Sequence, residues 1–467
     1  MDNPRVPTTT GLLLAAYLLA VAITGLIWRR RAGRDEASYF VADRSLSSFW
    51  GFLGLASLTT GGSTTVALAA LVYAHGLPGL WLDLAGAFGL LALGLWLAGR
   101  VRREGAVTLP EIVGRYYGPS ARRVAAVLVL VSEIVWFALL IEATQVVLSA
   151  ALGLEPVAAI VGSTAVFVLY TSLGGQFAVV RTDGLQYGLM VLGIPGLALG
   201  FALLRSGGFG RLPKNALSFP TSPSFGGLHV LSLLVLIGLP HLVGSDVYAK
   251  LLSCRDEATA RRATLAAALS KVLFGGAVTA IALCARAALP PAPAIETLPR
   301  AVLAFVPPPL ASLVIVCLVA TMHSSADAVL LSASAVTVRD IAPELRRRFP
   351  AVAAARALTP VYAGLGLALA LVLDRNVLET LKLGYSIFAA GLILPVLAAL
   401  LLPKGSIAAS GAIAAMIAGG GTAALLRFAQ PFGSGADPVL TGTAVNFVVL
   451  GCVWGVRALR TREGAAL

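Results

Sequence analysis

Thr321, Ser324, Ser325 and Asp327 are four polar residues set between the apolar runs 311–320 and 328–338. Positions 321, 324 and 325 are spaced i, i+3, i+4, so three hydroxyls share one face of a helix. Asp327, three residues after Ser324, extends that stripe by a turn. Hydroxyl and carbonyl oxygens suit a hard cation, whereas imidazole and thiolate suit transition metals. A serine also bonds back to its own helix. The aspartate tips the balance towards an ion site: at a helix centre inside a membrane it costs about 2.5–3.5 kcal/mol on insertion scales and has to be satisfied. His323 lies about 100° round the helix from Ser324 and reads as a packed, hydrogen-bonded ring.

A second cluster occupies 58–65, where Leu-Thr-Thr-Gly-Gly-Ser-Thr-Thr interrupts an apolar segment. Paired glycines and a run of threonines form helix poorly. A helix-packing face would repeat every three or four residues, which this contiguous cluster does not. The segment is therefore expected to unwind. Unwound backbone at membrane depth survives where it lines a cavity, and transporters use it to hold ions and solutes.

The elements that carry both clusters are membrane spans. Of the 467 residues 58% are hydrophobic and 12% charged, and the mean hydropathy is +0.88. An ordinary soluble domain is about 45–50% apolar and about 25% charged, so composition alone excludes one. Thirteen spans are expected, at 11–28, 48–75, 79–99, 123–149, 155–172, 177–205, 227–253, 262–288, 308–341, 356–375, 377–402, 405–426 and 439–457. Net charge is +13. The basic residues flank the apolar segments and form no single face, which argues for membrane topology and against nucleic acid as a partner. Arg29–Arg31 after the first span, and most other Lys and Arg in alternate loops, set the N-terminus outside and the C-terminus in the cytoplasm. The loops Ser206–Gly226 and Pro290–Pro307, rich in Pro, Gly and Ser, are expected to cap the outer face. Cys254, Cys284, Cys317 and Cys452 have neither CxxC spacing nor partnering histidines and read as packing residues.

Between spans five and six the chain reads Tyr170-Thr-Ser-Leu-Gly-Gly-Gln-Phe-Ala-Val-Val-Arg-Thr-Asp-Gly-Leu-Gln186. This resembles the signature of the sodium:solute symporter family: Tyr-Thr, a Gly-Gly turn, an Ala-Val pair, then Thr-Asp and a following Gln. Tyr39-Phe-Val-Ala-Asp-Arg-Ser-Leu46 is similar to the family's entry into its first core helix. Ser324-Ser325 through Asp340-Ile341 is similar to its sodium-site helix, and Asp246-Val-Tyr-Ala-Lys-Leu-Leu252 with Arg255–Arg262 to its cytoplasmic linker. The resemblance runs from about residue 38 to about residue 400.

It implies an all-α multi-pass membrane protein of one transporter domain, 1–467, with a leucine-transporter-type core of two inverted five-helix repeats. The repeats would cover about 48–205 and 227–402, beside a peripheral helix at 11–28 and additional helices at 405–457. Sodium, the implied coupling ion, would lie against backbone carbonyls near Ser57 and Thr60, the carbonyl of Thr321 and the hydroxyls of Ser324 and Ser325. Some relatives hold a second sodium with the aspartate of Thr-Asp, here Asp183. The matching positions on the ninth span are Asp327 and Ala328. Two converging carboxylates cannot both ionise cheaply without a cation. Either a second sodium binds, or one proton is shared, or Asp183 stands apart and pairs with Arg181. For the solute, the resemblance points to Thr59, Ser63, Thr64 and Asp83. Small hydroxyls beside an exposed helix N-terminus favour a compact organic acid or amino acid. Asp83 reads equally as a solvated interfacial residue. Glu133 and Glu142, nine residues apart and on different faces, are given no shared role.

The implied activity is sodium-coupled symport of a small organic solute in the plasma membrane. The partners are the solute and the lipid bilayer, with no nucleic acid and no obligate protein partner. A proton-coupled symporter of the same fold is the nearest alternative. A transporter-like solute sensor would need a signalling domain, and ten residues follow Arg457. An enzyme is not expected, since HExxH and GxSxG are both missing from the sequence.

Overall fold

The computed structural model describes residues 5–373, 377–429 and 435–465, with backbone alone at 5–7, 32, 63, 169, 170, 173 and 457–465. Among the described residues, twelve of the thirteen expected spans appear in order as eleven long apolar helices and one broken pair, and the fifth is matched by a helix too short to count by the same length. The eleven are Thr8–Arg31, Leu77–Glu104, Leu109–Leu152, Gly174–Ser206, Gly227–Ser253, Glu257–Ala288, Pro308–Ile341, Ala351–Val372, Val377–Leu401, Ala409–Ala429 and Pro438–Val456. The shorter one, Pro156–Val168, is the fifth span. The expected end of the tenth span at 375 lies outside the described residues.

Span two is interrupted where the glycines stand. Ser48–Thr60 and Ser63–His75 are separate helices, meeting at 44°. Gly62 has φ +67 and ψ −161, a conformation that is essentially glycine's alone. Span seven is broken too, which the sequence reading did not anticipate. Its helix stops at Leu242, Val243 and Gly244 take φ/ψ of −137/61 and −96/141, and helix resumes at Ser245. Pro240 and Gly244 are the local cause: proline removes a backbone donor and glycine weakens the turn that follows.

Spans four and six also depart from the expected bounds. Leu109–Leu152 begins well before 123 and turns at Gly118, φ +84. Spans five and six run together as Pro156–Val191 through a kink at Gly175, φ +55, where a Cβ would lie 2.9 Å from the Tyr39 carbonyl oxygen.

The ninth span is the axis of the bundle. In its most apolar stretch 94% of residues are buried, against 22% in the first and thirteenth spans, which therefore face lipid. Spans four, six and two pack around it, so the polar stripe Thr321–Asp327 faces protein instead of hydrocarbon. The loop Ser206–Gly226 lies over the ends of spans two and three, where Trp81 Nε1 donates to the Pro220 carbonyl at 3.0 Å.

Candidate ion and solute site

When a helix stops, the carbonyls of its last turn lose their intrahelical donors and must be satisfied elsewhere. At the end of Ser48–Thr60 all four are. Ser57 O accepts from Gly61 N and from Ser324 Oγ, each at 3.2 Å. Leu58 O accepts from Ser325 Oγ at 3.3 Å. Thr59 O accepts from Lys271 Nζ, and Thr60 O from Thr65 Oγ1 at 3.0 Å. Across the gap, Thr321 O accepts from Gly62 N at 2.7 Å and lies 2.9 Å from Ser324 Oγ, whose single proton it shares with Ser57 O. The Thr321 hydroxyl turns away to Leu318 O.

Five neutral oxygens thus gather between the break and the ninth span: the carbonyls of Ser57, Leu58 and Thr321 and the hydroxyls of Ser324 and Ser325. All five residues are buried. A hydroxyl that donates to a carbonyl can instead turn a lone pair towards a cation. An all-oxygen, uncharged set in dry surroundings suits an alkali cation and not a soft metal. Of the two carbonyls that the resemblance implies, that of Ser57 faces Ser324 Oγ and that of Thr60 accepts from Thr65 Oγ1, while the neighbouring Leu58 carbonyl faces Ser325 Oγ.

The same strand of backbone borders a cavity on its other side. The cavity, of about 50 Å³, lies between the two helix breaks. Leu58, Thr59 and Thr64 line it from span two, and His241, Gly244 and Asp246 from span seven. Thr59 and Thr64 are where the sequence reading wanted solute contacts, although both hydroxyls also bond locally, to Leu55 O and Gly61 O at 2.7 Å. The side chain of Ser63 lies outside the described residues.

Asp83 is neither solvated nor in the cavity wall. It is 3% exposed and its Oδ1 takes the Lys271 ammonium at 2.8 Å. Lys271, on span eight, also donates to the Thr59 carbonyl, so the pair braces the broken end of span two. Removing one partner of a buried ion pair costs about 3–5 kcal/mol, because the other is left uncompensated. Asp83→Asn is therefore expected to lower the melting temperature markedly, and adding Lys271→Met to recover most of the loss. Equal melting temperatures in wild type and Asp83→Asn would show that the pair does not brace the break.

Asp183 also has a partner other than those expected. Its Oδ2 lies 2.5 Å from Lys250 Nζ, and both residues are buried. Arg181 does not pair with it; its guanidinium stacks on Trp50 and Trp28, 3.8 and 4.8 Å from the ring centroids. Asp327 accepts from Thr171 Oγ1 at 2.7 Å. His323 Nδ1 lies 3.0 Å from the Tyr17 hydroxyl, which also takes the amide of Gln186, so the peripheral first span is tied to spans six and nine.

Two carboxylates passed over in the sequence complete the cavity. Glu133 lines it from span four and Asp246 from span seven, beside Trp136 and Tyr385. An ionisable residue inside a span marks a functional site by default, and that rule applied to Glu133 alone would have flagged it. The same rule flags Asp246, which stands inside the expected span 227–253, although its place in the cavity wall depends on the unforeseen break at Val243–Gly244.

Comparisons with known proteins bear on the family and the fold. The model of the family described as "Sodium:solute symporter family" matches residues 39–419. The high-affinity choline transporter 1 of Caenorhabditis elegans is 28% identical over 35% of this chain and 28% of its own length. The sodium/proline symporter of Escherichia coli strain K12 is 28% identical over 42% and 40%. The sodium/myo-inositol cotransporter 2 of Mus musculus is 25% identical over 72% and 57%. The chain thus spans less than two thirds of each of these relatives. Among solved structures, a Na+-coupled sialic acid symporter in its substrate-bound outward-open state superposes with a TM-score of 0.78 at 17% identity, over 96% of this chain and 97% of the other. At that identity the likeness concerns the fold, which is that of an all-helical transporter built from many membrane spans. The chain belongs to the sodium:solute symporter family.

Proposed function

We propose that the protein is a sodium-coupled symporter that moves a compact organic solute across the plasma membrane by alternating access. Sodium as coupling ion goes with the family. The observation that carries the reading is shared backbone. The Leu58 carbonyl belongs to the five-oxygen cluster, while Leu58 and Thr59 line the cavity between the two breaks. An ion held by that cluster orders the segment that forms one wall of the solute site. Coupling needs no more than this: each ligand lowers the cost of ordering what the other contacts, and the effect is reciprocal. Gly61–Gly62 and Val243–Gly244, which flank the cavity, are places where the core spans can change angle. We place the N-terminus outside from the distribution of basic residues, and the core as two inverted repeats, each opening on a broken span. The relatives are named for choline, proline and myo-inositol, all compact solutes.

The partner of Asp183 supports a reading of one sodium per cycle. The charge that a second sodium would bring to this carboxylate is supplied by Lys250, a cation fixed to the chain. Uptake is expected to rise with sodium at a Hill coefficient of about one. Lys250→Met leaves Asp183 bare, so it should either unfold the protein or raise the coefficient above one. A coefficient near two in the wild type would contradict a single site.

Accumulation into proteoliposomes at fixed pH tests the proposal as a whole. An inward sodium gradient should drive uptake, and potassium in its place should abolish it. Uptake driven equally by a proton gradient without sodium would favour the proton-coupled alternative.

A further inference from the structure

The charges around the cavity do not balance. Glu133 is 7% exposed; its Oε1 accepts from Ser332 Oγ at 2.6 Å, and its other oxygen has no hydrogen-bond donor among the described residues. Among the described residues Asp246 accepts from the adjacent backbone, Val247 N, at 2.8 Å. Among the described residues neither forms an ion pair, and no Lys or Arg lines the cavity. The two buried lysines nearby are committed, Lys271 to Asp83 and Lys250 to Asp183. A buried carboxylate that keeps its charge needs a cation. Lys250, one turn beyond Asp246 on the same helix, acts on it from a distance while contacting Asp183, and among the described residues no Lys or Arg contacts either cavity carboxylate.

The rest of the wall suits an organic cation. Trp136 and Tyr385 meet edge to face, with ring centroids 4.2 Å apart and an interplanar angle of 85°, and Phe388 stands beside them. Aromatic faces attract ammonium groups through their quadrupoles and hold alkylated ones against apolar surface. Carboxylates on one side and aromatic rings on the other recognise a positively charged nitrogen that carries small alkyl groups.

We propose that the solute bears an ammonium group, seated between Glu133, Asp246 and the Trp136–Tyr385 corner. This rests on the transport reading and sharpens it: the ammonium of an amino acid is retained as a recognition element, while a plain organic acid is excluded. Thr59 and Thr64 then face the remainder of the solute.

The test is thermal stabilisation of the purified full chain, with and without sodium. The probes are choline, ethanolamine, succinate, and the uncharged isostere of choline in which carbon replaces nitrogen. At least one of the two ammonium compounds should stabilise the protein, more strongly in sodium, while succinate and the isostere should not. Glu133→Gln and Asp246→Asn should each weaken that binding at least tenfold and retain the stabilisation by sodium alone. If one variant does not fold, the other and the wild-type series carry the test. Stabilisation by sodium without binding of either ammonium compound overturns this inference and leaves sodium coupling standing. Equal binding of choline and its isostere, or unchanged affinity in both variants, also overturns it. Ammonium binding that is indifferent to sodium supports the site and counts against the coupling.

Discussion

Gly62→Ala is expected to abolish sodium-dependent uptake while leaving a folded protein in the membrane. At φ +67 and ψ −161 the residue occupies a region that costs a non-glycine residue about 1–3 kcal/mol. Its added Cβ would also lie 2.8 Å from Ser325 Oγ and 3.2 Å from Leu140 Cδ2, so relief of the strain moves an oxygen out of the cluster. Gly61 is equally confined, since a Cβ there meets Ser57 O at 2.7 Å and Thr321 O at 2.9 Å. In both cases the displaced atom is a proposed sodium ligand. In Gly61→Ala/Gly62→Ala, alanine further adds roughly 1 kcal/mol of helix propensity per residue, favouring a continuous helix. Transport assays and melting curves on the single and double variants separate the outcomes. Full uptake in the double variant would mean that the interruption has no part in transport.

Ser324→Ala and Ser325→Ala should each raise the sodium concentration for half-maximal uptake at least tenfold. Each removes one oxygen of five, and a tenfold change in affinity corresponds to about 1.4 kcal/mol, within the range for one lost polar partner. Neither change should disturb packing much, because the missing atom leaves room for less than a methyl group. The double variant should not respond to sodium at all. Wild-type sodium curves in both single variants would remove these hydroxyls from the account.

How much of this was legible in the sequence depended on how local each signal was. Thr321, Ser324 and Ser325 declare a shared face through helical spacing, and the structure places the two serine hydroxyls against the broken end of span two. The Gly61–Gly62 break was legible because two glycines and four threonines sit inside one apolar run. The break at Val243–Gly244 was not, since Pro240 and Gly244 are separated and each is tolerated singly in membrane helices. What the sequence could not convey was pairing between distant spans. Lys250 and Lys271 lie 67 and 188 residues from their carboxylates. Arg181, two residues from Asp183, looked like the natural partner and stacks on tryptophans instead. Glu133 shares no face with Glu142 on its own helix, and its sequence neighbours therefore say nothing of its role. Its neighbours in space, Asp246 and Ser332, come from spans seven and nine.

Binding of radioactive sodium to the purified protein tests the central claim most directly, because it needs no knowledge of the solute. The account predicts saturable binding at one site per chain, lost in Ser324→Ala/Ser325→Ala and kept in Glu133→Gln. Saturable binding that survives unchanged in the serine double variant, or its absence from the wild type, would contradict it.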